Sequence, residues 1–356
     1  MSFALLSLRL SLALVLGGGA AGASPSGPWT QVTRARYLMG SVCEGVVYAG
    51  PDPSAKAHAA AGLEAAFEEI ARLEAVLSDY KSDSELSRLN REGFPGPFAC
   101  SADLYDFLSQ AARYSHDTGG AFDITVAPLV TLWDLRGPGR LPEPAQVRAT
   151  LDRVGISKLK LDASSRRAAF GSRGMAVDPG ALGKGYALDA AAGVLRSRGI
   201  TSALLDFGGQ VIAIGAPPGT EAWEVSLAHP STREEPALTL ELRDASISTS
   251  GNSERWLKVG QRDIGHVLDP RTGEPSAARG SASAIAPTGA EADAASTAML
   301  VMGPERGLVW ASARPHLSIV FLESGEAGQV RVRATPNVNL NRPAPPSSAG
   351  VRRQKR

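Results

Sequence analysis

The chain has 356 residues, 43% of them hydrophobic, with 37 Lys and Arg against 36 Asp and Glu. That length and apolar share fit a soluble globular protein of one or two domains, and the near-balance of charge offers no basic excess of the kind a nucleic-acid surface needs. Cys43 and Cys100 are the only cysteines, and read either as a pair in an oxidising compartment or as two buried, inert thiols.

Residues 1–23 have the pattern of a signal peptide. Arg9 precedes an apolar and small-residue run from Leu10 to Gly19, and Ala21-Gly22-Ala23 forms an A-x-A cleavage site, which predicts Ser24 as the mature N-terminus. An uncut anchor is the alternative, but the run is short and Gly-rich for a membrane span. The expectation is therefore an exported protein, periplasmic or on the outer face of the cytoplasmic membrane, with no stable span after cleavage. Thr335 to Arg356, rich in Pro, Asn, Ser and Arg, is predicted to be a disordered C-terminal tail. Residues 24–334 remain as one folded domain.

Trp29 to Val47 reads as β-type. Ala55 to Leu77 is an amphipathic helix, with Leu63, Ala66, Phe67, Ile70, Leu73 and Leu77 at helical spacing. Polar sequence follows from Ser78 to Leu86, and a second helix runs from a cap-like Ser101 to Thr118 before Gly119-Gly120 breaks it. Asp134 to Pro144 is a Gly/Pro-rich loop leading to a short helix at Ala145–Val154. Strand-like segments follow at 159–161, 168–170, 203–207, 211–214, 223–227, 237–242 and 245–250, and a last helix spans Ala292 to Met302. The interleaving lacks a strict βαβ rhythm, so the expected class is α+β, with mixed β-sheets and packed helices.

Four polar clusters interrupt this scaffold. Asp178-Pro-Gly-Ala181-Leu-Gly-Lys184-Gly-Tyr-Ala-Leu-Asp189 runs into a helix-like segment from Ala190 to Arg198. Glycines, a lysine and a helix start together suit an anion such as phosphate, although a Gly-rich turn capping a surface helix has the same wording. Ile247-Ser-Thr249-Ser250-Gly251 offers small hydroxyls suited to a phosphate or ribose pocket, or simply a turn. In His266-Val-Leu268-Asp-Pro-Arg-Thr-Gly273 one histidine leads a turn signal. In Glu291-Ala-Asp293-Ala-Ala-Ser-Thr297-Ala298 the Asp and Thr stand at i and i+4, so their oxygens share one helix face and suit a hard cation; the alternative is that Asp293 only caps the helix.

The order and wording of these clusters resemble the ApbE family, the FAD:protein FMN transferases that move FMN from FAD onto a Ser or Thr of a target protein in the presence of Mg²⁺. The likeness begins at Met39-Gly40-Ser41. It continues through Leu77-Ser-Asp-Tyr80, Ser84 to Asn90, Gly120-Ala121-Phe122-Asp123-Ile-Thr-Val126, Leu132-Trp133, Asp178–Asp189, Phe207-Gly208-Gly209, Thr249-Ser250-Gly251, His266–Gly273 and Asp293–Thr297. It covers roughly residues 37–303, and so many ordered motifs do not arise by chance.

The resemblance implies roles position by position. Met39, Tyr80 and Ala121-Phe122-Asp123 correspond to parts of the FAD pocket, as do Thr249, Ser250, Gly251 and Leu268. Asp178 corresponds to the residue that fixes the adenosine and Lys184 to the one beside the phosphates. The carbonyl of Ala181 with Asp293 and Thr297 corresponds to the Mg²⁺ site, and His266 to the candidate base. Gly183, Ser41, Asp206 and Gln210 depart from the family's usual Ala, Thr, Asn and Asp.

The implied partners are FAD and an acceptor flavoprotein with a flavinylation Thr or Ser. Two other functions stay open from the sequence: hydrolysis of FAD to FMN and AMP, and non-catalytic flavin binding after export.

Overall fold

The computed structural model describes residues 28–340, apart from 231, 233–234, 253–255, 261, 277, 279 and 326–328. The expected signal peptide and residues 341–356 of the expected tail lie outside the described residues.

β1 (Thr30–Leu38) and β2 (Ser41–Ala49) close a hairpin through Met39 and Gly40, which both hold positive φ, 42° and 76°, as a two-residue turn between twisted strands requires. α1 (Pro53–Leu77) starts where Asp52 accepts the Ala55 N–H and Pro53 opens the first turn. Its apolar stripe from Leu63 to Leu77 is buried as the periodicity predicts. The polar run that follows is shorter than expected. Ser84 accepts the Ser87 N–H and opens α2 (Glu85–Glu92), only two turns long and therefore without a readable period.

β3 (Phe98–Ala99) precedes α3 (Ala102–Asp117), which Ser101 caps as predicted. α4 (Ala127–Leu132) and α5 (Pro144–Leu151) flank the Gly/Pro-rich loop, and β4 (Leu159–Asp162) and β5 (Arg167–Phe170) join β3 in a small sheet.

α6 (Gly183–Ser197) begins at Gly183 and not at Ala190, so Lys184 and Gly185 lie in its first turn. Strands β6 (Ala203–Phe207), β7 (Gln210–Ile214), β8 (Trp223–Ala228), β9 (Pro236–Leu242), β10 (Ser246–Gly251), β11 (Trp256–Val259), β12 (Arg262–Gly265) and β13 (Gly280–Ala286) follow. α7 (Gly289–Ser312) breaks at Gly303, whose φ of 75° and ψ of 167° are not helical, so its first segment ends at Met302 as expected, and Pro304, which has no N–H to lose, opens the second. β14 (Ser318–Ser324) and β15 (Val330–Ala334) end the sheet.

The main sheet has the order β1-β2-β6-β7-β10-β13-β14-β15, each adjacent pair antiparallel. With seven α-helices among the described residues, this is the α+β class the sequence predicts. β6 shows how its centre is built. Leu205 and Phe207 pack with Leu63, Phe67 and Leu188 of α1 and α6 on one face, while Leu204 packs with Trp223, Leu238 and Leu240 of the β8–β9 hairpin on the other. A strand covered on both sides reads as a continuous apolar run, not an alternation.

α6 and α7 approach at two glycines. A Cβ on Gly185 would collide with the carbonyl of Gly289, so only glycine lets the backbones come together there. Asp189 fastens the contact by accepting the Gly289 and Ala290 N–H groups at 2.5 and 2.9 Å.

Cys43 and Cys100 are unpaired thiols, Cys43 fully buried on β2 and Cys100 partly covered before α3. Burial pushes them up to about 12 and about 11, which disfavours the nucleophilic thiolate of each. The order of the fold also extends beyond the expected tail boundary. Thr335 exchanges hydrogen bonds with Ile319, and Asn337 donates to the carbonyls of Pro315 and Leu317, because these polar side chains satisfy the backbone where β14 begins. Among the described residues no helix is long and apolar enough to cross a membrane.

Candidate active site

A cavity of about 900 Å³ opens where the hairpin turns of the main sheet meet the starts of α6 and α7. All fifteen residues singled out as site candidates from the sequence line it: Met39, Tyr80, Ala121, Phe122, Asp123, Asp178, Ala181, Lys184, Thr249, Ser250, Gly251, His266, Leu268, Asp293 and Thr297.

The upper wall is made by two adjacent tight turns, Met39-Gly40 and Gly208-Gly209, the second also entirely at positive φ (62° and 89°). A side chain at Gly208 would strike Ser41 Oγ, so the glycine lets the turns pack against each other. Asp206 stabilises the second turn by accepting the Gly209 N–H at 2.9 Å. Gln210 reaches across to the Gly289 carbonyl at 2.8 Å.

The oxygen-rich wall lies between α6, β10 and α7. Thr288 caps α7 by accepting the Glu291 N–H, so Asp293 is not the cap and its carboxylate faces the cavity wall. Asp293 Oδ2 accepts the Gly185 N–H at 3.1 Å and Oδ1 the Ser248 hydroxyl at 3.3 Å. Gly185 lies in the first turn of α6, where the backbone N–H groups have no intrahelical partner, and its N–H is satisfied by Asp293; Ala181, just before the helix, also lines the cavity. Ser250 Oγ lies 3.1 Å from Thr297 Oγ1 and 2.9 Å from Ser296 Oγ. Thr249 pairs across the ladder with Ser283, hydroxyl to hydroxyl at 2.8 Å.

Burial pushes the Asp293 carboxyl above the usual carboxylate range, while the Lys184 charge, the Gly185 N–H and the Ser248 hydroxyl pull it back. Lys184 acts likewise on Asp206, which burial raises to about 6. The Lys184 charge thus acts on two buried carboxylates from the first turn of a helix, where the dipole adds to its field.

The candidate metal ligands that line the cavity, the Asp293 carboxylate, the Thr297 hydroxyl and the backbone carbonyl of Ala181, would supply oxygens alone. Among the described residues no cluster of three or more His, Cys, Asp or Glu offers an alternative metal cage. This set fits a hard, incompletely caged cation such as Mg²⁺, which retains water and substrate oxygens in its shell.

His266 follows β12 and enters a tight segment. Ser276 N–H donates to the Val267 carbonyl at 2.7 Å, Leu268 bridges to Pro275, and Asp269 accepts the Gly273 N–H on its carbonyl at 2.8 Å. Trp133 locks the turn from outside by donating to the Gly273 carbonyl at 2.8 Å. The turn signal and the Leu-Trp motif, far apart in sequence, are thus one structural unit that fixes His266 in the cavity wall.

Asp123 and Asp178 line the cavity with carboxylates already held by protein donors. Asp123 lines the wall, but its carboxylate turns inward: Oδ1 accepts from the Thr125 N–H and hydroxyl at 2.8 and 2.7 Å, and Oδ2 from the Ile156 N–H at 2.7 Å. These bonds shape the loop that carries Ala121 and Phe122. Asp178 Oδ1 accepts the Gly180 N–H, and its Oδ2 accepts from Arg136 at 2.7 Å. Arg136 is a wall residue that sequence reasoning missed, since it lies in a Gly/Pro-rich loop without a period.

Comparison with known proteins bears on this geometry. The sequence profile of the ApbE family matches residues 39–321. The chain belongs to the ApbE family. Among curated ApbE relatives, the FAD:protein FMN transferase of Treponema pallidum is 31% identical over 324 residues, covering 86% of this chain and 88% of the relative. That of Salmonella typhimurium is 33% identical over 240 residues, covering 65% and 68%. The flavin transferase ApbE from Vibrio cholerae has the same fold with a TM-score of 0.75 at 27% identity, covering 87% of this chain and 98% of that one. The ApbE protein of Thermotoga maritima gives 0.74 at 26% identity, covering 85% and 96%.

Proposed function

We propose that the chain is a Mg²⁺-dependent FAD:protein FMN transferase. A Ser or Thr hydroxyl of an acceptor flavoprotein attacks the FMN-side phosphorus of FAD. The new phosphoester bond forms as the bond to the bridging oxygen breaks, AMP leaves with that electron pair, and the hydroxyl proton passes to His266. The reading rests on one observation: Ala181, Lys184, His266, Asp293 and Thr297, drawn from three distant segments, line a single cavity.

The residues divide the chemistry by type. The Lys184 ammonium neutralises charge growing on the departing phosphate, and in a partly buried wall that attraction is stronger than in water. His266, held by the turn that Trp133 locks, is the titratable group suited to take the proton in step with attack. Asp293, Thr297 and the Ala181 carbonyl are the groups that would hold Mg²⁺, whose chemistry when bound is neutralisation of diphosphate oxygens that otherwise repel a nucleophile. The Tyr80 ring and the Met39 thioether suit the planar rings of FAD.

The test is incubation of the mature protein with FAD and Mg²⁺, with and without an acceptor carrying a flavinylation Thr, following AMP and covalent flavin. Acceptor-dependent label with equimolar AMP is the expected result. AMP and FMN without label mark hydrolysis, in which water takes the acceptor's place, and bound but uncleaved FAD marks a carrier. Export is part of the proposal, supported by the signal pattern of residues 1–23, and mass spectrometry of the native protein should find a chain starting at or near Ser24.

A further inference from the structure

Arg136 stands in the Gly/Pro-rich loop between α4 and α5. Its guanidinium donates to Asp178 Oδ2 at 2.7 Å and to Asp79 Oδ2, and its central carbon lies 4.7 Å from the centre of the Tyr80 ring. All four residues line the cavity. The carboxylates sit behind, with side chains only 10% and 14% exposed, whereas the Arg136 side chain is 38% exposed and Tyr80 78% exposed. The arginine is therefore the charged group in front.

Two features set this apart from a surface ion pair. First, the carboxylates oppose each other: burial and the Asp178 charge both push the Asp79 carboxyl up, and Arg136 pulls it back. Two half-buried acids that both accept from Nη2 use its two in-plane N–H groups and so fix the guanidinium plane, whereas a single exposed partner would leave it free to turn. Second, each oxygen of Asp178 already has a protein donor, one from Gly180 and one from Arg136. The chemistry assigned to Asp178 by family resemblance thus reaches the cavity through the arginine.

We propose that Arg136 contacts a planar ring of FAD directly, its guanidinium stacked between that ring and Tyr80, with Asp79 and Asp178 as positioning residues that hold its plane. The inference rests on the reading of the cavity as an FAD site and names the residue that receives one end of the dinucleotide. A flat, delocalised cation stacks on an aromatic ring in a way a lysine ammonium does not.

The experiment compares Arg136→Lys and Arg136→Ala with the wild-type mature protein, measuring Kd for FAD, AMP and FMN separately. Both variants should bind FAD about tenfold more weakly. The loss should fall on only one of the two half-ligands, a selectivity that a general loosening of the fold does not produce. KM for FAD should rise in step with Kd, with a smaller effect on kcat. If Arg136→Ala does not fold because Asp79 and Asp178 repel, the Asp79→Asn/Arg136→Ala double variant relieves the repulsion and takes its place. Binding by Arg136→Lys within about twofold of wild type would overturn the proposal, since charge alone would then suffice. Equal weakening of AMP and FMN would overturn it too, as would tighter FAD binding by Arg136→Ala, which would make the arginine a cover that the ligand displaces. Wild-type protein that binds no FAD would instead overturn the underlying functional reading, and this proposal with it.

Discussion

The backbone N–H of Gly185 donates to Asp293 Oδ2 across 3.1 Å, joining two positions 108 residues apart in the chain. That bond links packing to chemistry. It exists because α6 and α7 approach at Gly185 and Gly289, it orients the carboxylate, and it satisfies a first-turn N–H of α6 that has no intrahelical partner.

Gly185→Ala tests the packing half of this relationship. The added Cβ would meet the backbone of Gly289, which cannot swing aside as a side chain would, so the helices must separate. Overpacking against backbone costs about 2 kcal/mol or more. Denaturant unfolding should show that loss, and FAD cleavage should need a higher Mg²⁺ concentration. An unchanged midpoint would mean that the helices have room the geometry denies them.

Asp293→Ala and Asp293→Asn test the chemical half. Both remove the only carboxylate from the oxygen set of Asp293, Thr297 and the Ala181 carbonyl, so each should raise the Mg²⁺ concentration for half-maximal AMP release by about tenfold or more. Asn keeps the shape and removes a buried charge, so its melting temperature should hold while activity falls. Chelation should silence the wild type and added Mg²⁺ should restore it. Equal metal titrations for variant and wild type would remove Asp293 from this role.

The sequence made α1 and α3 legible because each shows its apolar stripe over several turns and, in α3, a Ser cap. It made the site legible as motifs, since glycines at positive φ in tight turns and an Asp and Thr one helical turn apart are local features. What it did not carry was direction. Asp123 and Asp178 stand in motifs that read as ligand contacts, yet one carboxylate turns into its own loop and the other backs Arg136. Hydrogen bonds spanning 33 or 42 residues leave no local trace. The start of α6 was misplaced for a related reason: glycines at 183 and 185 have poor helix propensity, and the tertiary contact with Gly289 overrides it.

Asp206→Asn should stabilise the protein, and the gain should depend on pH. Burial raises this carboxyl to about 6 from an ordinary 3.8, and its Oδ2 is buried with no hydrogen-bond partner among the described residues, so an amide of the same shape fits. The folded state holds a proton between those values that the unfolded chain releases, so stability falls as pH rises from about 4 to about 6. Above about 6 the full charge is buried, at a cost of about 1–3 kcal/mol. The variant should therefore match wild type below about pH 4, diverge through the window and keep its advantage at pH 7–8. Parallel unfolding curves at pH 3.5, 5 and 7.5 settle the sign, and an advantage largest in acid would contradict the assignment.

The role of His266 can be separated from its structural setting because that setting is held by other groups. The turn it opens is closed by the backbone bonds between Asp269 and Gly273 and between Val267 and Ser276, and is locked by Trp133 on the Gly273 carbonyl. His266→Ala leaves all of these in place, so the melting temperature and FAD affinity should change little. Transfer to the acceptor should fall by about two to four powers of ten, because a base contributes mainly in the transition state. Trp133→Phe supplies the converse. It removes the indole donor that locks the turn while leaving the imidazole, so it should lower the melting temperature and slow transfer by a smaller factor. A His266→Ala variant that melts early and binds FAD poorly, yet transfers at the wild-type rate once FAD is saturating, would show that the imidazole is a turn residue and that another group takes the proton.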